Sequence, residues 1–200
     1  MIRLFVGLAL PEPLRAELAR RQNGVPGARW VEPKNLHVTL RFIGEVDEDV
    51  AADIAVALEA ITAPPAPVIL NGLGRFGDKR GARILYVGVD PDSALLRLRD
   101  KVESACVRAG LEPERRAFKP HVTLARFARF GSRRVDDIVA ANTEWQPGAF
   151  QADSFVLFSS HLSPNGADYT PERTYSLFHR RSIFCTVAAG PHGCPGQARP

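Results

Sequence analysis

The tetrapeptide His-Val-Thr-Leu occurs twice in this chain, at residues 37–40 and again at residues 121–124. Val and Thr favour extended backbone, and alternate side chains of a strand point to opposite faces. Each copy therefore predicts a strand with His and Thr on one face and with Val and Leu on the other. If the two strands meet across a cleft, two imidazoles and two hydroxyls converge, and this arrangement favours attack on a phosphate.

The flanks of the two copies also match. Each copy has Pro and Lys upstream and Arg and Phe downstream. These residues are Pro33, Lys34, Arg41 and Phe42 in the first copy, and Lys119, Pro120, Arg126 and Phe127 in the second. One such tetrapeptide can recur by chance as ordinary strand sequence, but matched flanks favour a duplicated unit. The basic flanks suit a phosphate ligand.

The composition is that of an ordinary globular protein. The chain has 200 residues, 45% of them hydrophobic, and a net charge of +4. It can bury a core as one domain or as two small lobes. Mild basicity suits a polyanionic substrate without requiring one. No apolar run reaches the length of a membrane span, and the apolar start is predicted as a buried strand because Pro11 follows it directly.

The cysteines indicate a reducing compartment. Cys106, Cys185 and Cys194 have neither the even count of a disulfide framework nor the spacing of a metal site. We therefore expect a cytoplasmic protein. We also expect a monomer that uses no cofactor and no metal.

Hydrophobic periodicity predicts strands that alternate with helices. The predicted strands cover residues 2–9, 29–32, 36–43, 68–73, 83–89, 117–127, 150–160 and 174–178. The predicted helices cover residues 11–22, 47–61, 92–109 and 134–141, and the Gly-rich residues 74–81 are predicted as a hairpin loop. The order predicts one domain of two similar lobes over residues 1–178 rather than a doubly wound parallel sheet. Residues 179–200 are rich in Gly and Pro and are expected to form a disordered tail.

Two histidines that flank a phosphate can divide the acid and base work. Imidazole titrates at a pKa of about 6.5, so one ring can take a proton from water while the other protonates the leaving oxygen. His37 and His121 are the candidates for this pair, although both could instead be structural histidines. The hydroxyls of Thr39 and Thr123 can donate hydrogen bonds to the non-bridging oxygens. The other histidines lack a duplicated context and are expected at the surface: His161, His179 and His192.

Together with these motifs, residues 3–6, 29–31, 35–37 and 72–76 resemble the two-histidine (2H) phosphoesterase superfamily. Within it, the chain is similar to the RNA 2′,3′-cyclic phosphodiesterases of the LigT/ThpR type, formerly called 2′-5′ RNA ligases. The resemblance implies an α+β, bilobal LigT-like fold, with an antiparallel sheet and flanking helices in each of two pseudo-symmetric lobes around a cleft. It implies metal-independent opening of a terminal 2′,3′-cyclic phosphate of RNA to a 2′-phosphate, with the 3′ oxygen leaving.

The resemblance also implies roles for individual residues. His37 would protonate the leaving oxygen and His121 would activate water, while Thr39 and Thr123 bind the phosphate. Phe42 and Arg126 would sandwich the terminal base between a ring and a guanidinium plane.

Strict alternation along a strand opposes these roles for Phe42 and Arg126. Each lies five residues after its histidine, so each should point away from it unless the strand bulges or ends. Gly44 makes a break plausible in the first copy, and the second copy shows no such signal. Arg41 has the right parity and is the competing phosphate ligand, and Phe42 could instead be a core aromatic.

Two alternative functions remain open. The same site could join RNA ends through a 2′-5′ linkage, but the chain has no P-loop, so ligation would need a cyclic phosphate end. Alternatively, the protein could be a non-catalytic basic RNA-binding module, although simple phosphate binding does not need a symmetric acid–base pair. Small cyclic nucleotides are further candidate substrates.

Overall fold

The computed structural model describes residues 1–129, 133–163 and 166–177. The strands are β1 (Ile2–Ala9), β2 (Ala28–Trp30), β3 (His37–Val46), β4 (Ala66–Asp78), β5 (Gly81–Val89), β6 (His121–Phe127), β7 (Gly148–Ala152), β8 (Ser154–Ser163) and β9 (Gly166–Ser176). The α-helices are α1 (Glu12–Arg20), α2 (Glu48–Glu59), α3 (Ser93–Arg108) and α4 (Arg133–Ala141), and a 3₁₀ turn spans Pro33–Asn35. The predicted tail at residues 179–200, with His179, His192, Cys185 and Cys194, lies outside the described residues.

The nine strands form one antiparallel sheet in the order β7-β4-β5-β6-β3-β1-β8-β9, and β2 pairs with β6. The two sheets that the resemblance implies are the two halves of this single sheet. One half contains β7, β4, β5, β6 and β2, and the other contains β3, β1, β8 and β9. The halves join where Val38 of β3 pairs with Val122 of β6. The predicted α+β class is therefore confirmed, with the two motif strands at the junction.

Helix α3 packs against both halves of the sheet on their core side. It is capped by Asp92, whose carboxylate accepts a hydrogen bond from the backbone N–H of Ala94 at 2.7 Å. Its buried face includes Leu95, Leu98 and Val102, and the helix packs against both β3 and β4. None of the helices among the described residues is long and apolar enough to cross a membrane.

Some predicted boundaries are wrong. The loop expected at residues 74–81 is mostly strand, because β4 continues to Asp78 and β5 begins at Gly81. A Cβ atom on Gly74 would overlap the ring of Tyr86, so this glycine permits a close side-chain approach rather than a turn. The strand expected at residues 117–127 begins only at His121, and the one expected at residues 150–160 is two strands, β7 and β8.

Candidate active site

The ring of His37 is fixed by the chain just before its strand. Its Nδ1 lies 2.7 Å from the backbone carbonyl oxygen of Asn35, and because a carbonyl only accepts, Nδ1 carries the proton. Nε2 is then the basic nitrogen of the neutral ring, and it lies 3.1 Å from Oγ1 of Thr39. The side-chain amide of Asn35 donates to the carbonyl of Ala167 in β9 at 2.9 Å. The turn that carries Asn35 therefore holds the ring against β9.

The ring of His121 is held in the same way. Its Nδ1 lies 2.7 Å from the backbone carbonyl oxygen of Lys119, which occupies the same place relative to His121 as Asn35 does to His37. Nδ1 therefore donates and Nε2 is available as the second basic nitrogen. In both copies of the motif, Nε2 of the histidine is therefore the nitrogen available to accept or give a proton.

The pairing of Val38 with Val122 brings the two motifs together. The strands are antiparallel there, so the next residue in each direction sets His37 opposite Thr123 and Thr39 opposite His121. Both valines are fully buried, which turns the imidazoles and hydroxyls to the other face of the sheet. We call this the cleft face. The histidine and threonine of both motifs, which the repeat predicted at the site, therefore all lie on the cleft face. All four side chains are half-buried.

Strand β3 contains a bulge at Leu40. Thr39 pairs with Gly7 of β1 and Arg41 pairs with Val6, so Leu40 is an extra residue in the ladder. A bulge reverses the alternation of side chains beyond it. Leu40 and Arg41 accordingly both point to the core, with exposed fractions of 3% and 8%.

Because of this bulge, Phe42 returns to the cleft face. It pairs with Phe5 of β1, whose ring centroid lies 4.7 Å from that of His37. Phe42 is 47% exposed, so the alternative of a core aromatic is wrong. The guanidinium carbon of Arg3 lies 5.2 Å from the centre of the Phe42 ring, and the ring remains accessible for stacking.

Arg41 does not join the histidines. Its Nε lies 2.9 Å from a carboxylate oxygen of Glu103 and its Nη1 lies 3.2 Å from one of Glu114. Its Nη2 donates to the backbone carbonyl of Glu112 at 2.6 Å. These partners belong to α3 and the segment that follows it, on the core side of the sheet. The prediction of Arg41 as a phosphate ligand is wrong, because the bulge at Leu40 turns its side chain inward.

Strand β6 bulges at the equivalent leucine. Thr123 pairs with Tyr86 of β5 and Ala125 pairs with Leu85, which leaves Leu124 as the extra residue. The sequence carried no signal for this second bulge. Alternation reverses after Leu124, as it does after Leu40 in β3.

Arg126 therefore also lies on the cleft face. It is exposed and pairs with Ile84 of β5, which in turn pairs with Phe76 of β4. The Phe76 ring lies 4.9 Å from the ring of His121. The two residues that the resemblance assigns to the terminal base, Phe42 and Arg126, thus lie on the same face as the histidines.

Aromatic walls that the sequence analysis missed surround both imidazoles. The rings within 6.1 Å of His37 are Phe5, Phe158 and Tyr169, and those within 5.2 Å of His121 are Phe76 and Tyr86. For Phe5, Tyr86 and Phe158 the sequence signal is strand parity, which does not distinguish a cleft residue from a core residue. Phe76 and Tyr169 lie outside the predicted strands. The walls remove water from one side of each imidazole.

Burial makes both histidines poor bases in the ligand-free protein. The pKa of His37 is lowered to about 4, chiefly by burial and further by the charges of Arg126 and His121, while the bond to the Asn35 carbonyl opposes the shift. The pKa of His121 is also lowered, by burial first and then by the charges of Arg126 and Lys119. Both rings are therefore neutral at pH 7, and a bound phosphate would favour their charged forms.

The two upstream lysines differ in what they contact. The Nζ of Lys119 lies 5.4 Å from the ring centre of Phe76 and 5.2 Å from that of Tyr86, beside His121. Lys34 instead forms exposed ion pairs with Glu32 at 3.0 Å and with Asp168 at 3.2 Å. The half of the cleft that contains β6 therefore has more uncompensated positive charge close to its histidine.

Metal ligation finds no support in the part of the chain that the structure describes, where no group of three or more His, Cys, Asp and Glu side chains is placed to hold an ion. Burial raises the pKa of the Cys106 thiol to about 11, so this cysteine remains a neutral core residue. The expectation of metal-independent chemistry stays a prediction that needs a direct experiment.

Comparison with known proteins identifies relatives that match most of the chain. Residues 10–163 match the family model described as the 2′-5′ RNA ligase superfamily. The chain is 32% identical to the RNA 2′,3′-cyclic phosphodiesterase of Archaeoglobus fulgidus over 177 residues, which cover 87% of this chain and 99% of that protein. It is 39% identical to the Aeropyrum pernix protein of the same name over 150 residues, which cover 73% of this chain and 84% of that protein.

The fold is also that of solved structures. The crystal structure of E. coli LigT complexed with 3′-AMP superposes with a TM-score of 0.74 at 26% identity, and covers 89% of this chain and 99% of that chain. A crystal structure from Thermus thermophilus superposes with a TM-score of 0.73 at 28% identity, and covers 87% of this chain and 97% of that chain. These likenesses confirm the predicted LigT-like fold.

Proposed function

The chain belongs to the 2′-5′ RNA ligase superfamily, and on this premise we propose that it is an RNA 2′,3′-cyclic phosphodiesterase that opens a terminal cyclic phosphate to a 2′-phosphate. The observation that carries the proposal is the matched setting of His37 and His121. Each ring donates through Nδ1 to a backbone carbonyl and so offers Nε2 to a ligand on the cleft face. Relatives that carry this activity in their names match most of the chain.

In the proposed reaction, His121 is the base. Its Nε2 takes a proton from water as the water oxygen bonds to phosphorus. The bond between phosphorus and the 3′ oxygen breaks, and Nε2–H of His37 gives its proton to that oxygen. The products are a 2′-phosphate and a free 3′-hydroxyl, so one water molecule is consumed. The two rings then exchange protons with solvent before the next turnover.

The substrate itself supplies the charge that His37 needs. In the ligand-free protein the pKa of His37 is about 4, which is too low for an acid at neutral pH. A phosphate anion beside the ring favours the imidazolium and raises this pKa. Once charged, the ring keeps its Nδ1–H bond to Asn35 and points Nε2–H at the leaving oxygen.

The threonine hydroxyls stabilise the charge that develops on phosphorus. Thr39 lies in the same strand as His37, and Thr123 in the same strand as His121, on the same face in each case. Their hydroxyls donate to the two non-bridging oxygens, where the negative charge grows. Phe42 and Arg126 hold the terminal base by stacking from opposite sides, because an exposed ring and a guanidinium plane accept any base.

The two alternative functions differ from this reaction in the fate of the cyclic phosphate. If a 5′-hydroxyl of a second strand attacks phosphorus, the same bond to the 3′ oxygen breaks and the strands become joined through a 2′-5′ linkage. A non-catalytic RNA-binding module would leave the cyclic phosphate intact. Water is the favoured nucleophile because the relatives that match most of the chain are named phosphodiesterases.

We also propose that the enzyme is a cytoplasmic monomer and that it turns over small nucleoside 2′,3′-cyclic phosphates. The odd cysteine count supports the cytoplasm. The residues named for catalysis all belong to one chain, which supports a monomer, and they act on the terminal nucleotide alone, which supports a mononucleotide substrate. Light scattering during size-exclusion chromatography measures the oligomeric state, and phosphate mapping of the mononucleotide product tests the small substrates.

The deciding experiment incubates the protein with an oligonucleotide that ends in a 2′,3′-cyclic phosphate, with and without EDTA, and maps the product by NMR. We expect a 2′-phosphate at equal rates in both samples. A 3′-phosphate, or activity abolished by EDTA and restored by a divalent ion, contradicts the mechanism. Adding a second strand with a 5′-hydroxyl shows whether ligation competes, and binding without any product would favour the RNA-binding alternative.

A further inference from the structure

Arg29 lies beside Arg126 on the cleft face. The two residues are directly opposite each other in the β2–β6 pair, and such residues point to the same face with Cβ atoms about 5 Å apart. Both side chains are exposed. Their neighbours Ala125 and Phe127 point the other way, into the small core under α4. The two guanidinium groups therefore emerge together on the side that carries the histidines.

This pair ends a row of residues that crosses the cleft face. Phe76 pairs with Ile84, Ile84 with Arg126, and Arg126 with Arg29. The adjacent row contains Tyr86 and Thr123. Tyr86 and Ile84 are two residues apart on β5, so the rows are about 7 Å apart. The two arginines are thus one row away from the proposed site of the cyclic phosphate.

The pair is electrostatically unfavourable without a bound anion. Like charges directly opposite each other destabilise a sheet. Within residues 1–129, 133–163 and 166–177, no carboxylate forms an ion pair with either guanidinium. The charge of Arg126 lowers the pKa of both His37 and His121, which agrees with its place on the cleft face.

We propose that Arg29 and Arg126 form a second phosphate subsite, which binds the phosphodiester on the 5′ side of the terminal nucleotide. The inference rests on the proposed function and deepens it, because it makes an RNA strand a better substrate than a nucleoside cyclic phosphate. A guanidinium binds a phosphate through paired N–H groups. Two guanidinium groups side by side fix the direction in which the RNA strand extends from the terminal nucleotide, while Arg126 still presents its plane to the base.

The test uses two substrates that differ by one group. One is a nucleoside 2′,3′-cyclic phosphate with a free 5′-hydroxyl, and the other carries a 5′-methylphosphate diester. We expect kcat/KM of the wild type to be about tenfold higher for the diester, the size of one charge-assisted hydrogen bond. Arg29→Gln should bring this ratio close to one, and Arg29→Lys, which keeps the charge but not the paired N–H groups, should give an intermediate ratio.

Arg21→Gln is the matched control. Its guanidinium lies 4.9 Å from the ring centre of Trp145, beside Trp30, Leu85 and Leu124 on the core side of the same half of the sheet. This variant loses the same charge and should keep the wild-type ratio. A wild-type ratio near one, or an Arg29→Gln variant that slows both substrates equally, overturns the subsite.

Failure of the proposed function would be seen separately, as a wild type that hydrolyses neither substrate. Calorimetry then decides on the subsite without turnover, using a nucleoside 2′-phosphate with and without the 5′-methylphosphate diester. Tighter binding of the diester that Arg29→Gln removes supports the subsite. Equal affinities overturn it.

Discussion

Val38 of β3 pairs directly with Val122 of β6, and each is fully buried. Each valine lies between the His and the Thr of its own motif. This contact is the junction of the two halves of the sheet, so it sets the spacing and mutual orientation of the two imidazoles. A residue with no polar atom in its side chain therefore helps to position both groups of the acid–base pair.

Val38→Ala should lower kcat more than an ordinary core truncation does. Removing two buried methyl groups costs about 2 kcal/mol of the free energy of unfolding. The matched control is Val68→Ala, which truncates a fully buried valine of β4 that pairs with Phe150 of β7. Urea unfolding should give similar losses for both variants, and a tenfold or larger loss of kcat only for Val38→Ala. Equal activities at equal stability would contradict the positioning role.

His37→Ala and His121→Ala should each remove most turnover while the protein stays folded. A positioned acid or base contributes about 10²–10⁴-fold, and the double variant should lose far less than the product of the two losses because the groups act as a unit. His161→Ala is the control, because His161 is exposed on β8, outside the motif strands. Single-turnover rates and circular dichroism check this. Near wild-type rates in either folded variant would exclude the shared mechanism.

The repeated tetrapeptide was enough to predict that the two histidines converge, but the sequence did not predict the two strand bulges. Leu40 and Leu124 look like ordinary strand residues. Their extra place in the ladder depends on partner strands that are distant in the sequence. For that reason strict alternation put Arg41 on the wrong face and raised an objection to Phe42 that the structure removes.

The aromatic rings around the two imidazoles could not be predicted from the sequence for a related reason. Tyr169 contacts His37 because β9 returns to the sheet beside β8 and β1, and nothing near either residue in the sequence indicates that return. Phe76 was placed in a loop because the glycines around it suggested a turn. Gly74 instead makes room for the Tyr86 ring, a role that only the partner strand reveals.

The C-terminal segment provides a prediction from composition alone. Residues 179–200 are rich in Gly and Pro and lack an apolar period, so they should add nothing to the core. Truncation after Arg181 should leave Tm and turnover unchanged. Differential scanning calorimetry measures this, and a fall of several degrees would show that the segment packs against the domain.

Stability should fall in acid because His37 is buried in its neutral form. Its folded-state pKa is about 4, below the unfolded value of about 6.5, so the unfolded chain binds more protons in this range. The contribution is complete above pH 6.5 and is lost as the pH falls towards 4, by up to about 3 kcal/mol. His37→Gln should show a flatter dependence than the wild type in urea unfolding at pH 7, 6, 5 and 4. Parallel curves would contradict the burial of a neutral ring.

The dependence of the rate on pH follows from the same burial. The proposed reaction needs one neutral and one charged imidazole, so the profile should be bell-shaped, with limbs that belong to the pair rather than to either ring. The profile of kcat/KM reports the free enzyme, in which both pKa values are lowered, so its optimum should lie below pH 6.5. Bound phosphate raises both pKa values, so both limbs of the kcat profile should lie at higher pH than those of the kcat/KM profile.

Both profiles are measured on one cyclic-phosphate substrate, with chemistry shown to be rate-limiting by single-turnover kinetics. A rate that does not change between about pH 5 and 9 would exclude paired histidine catalysis.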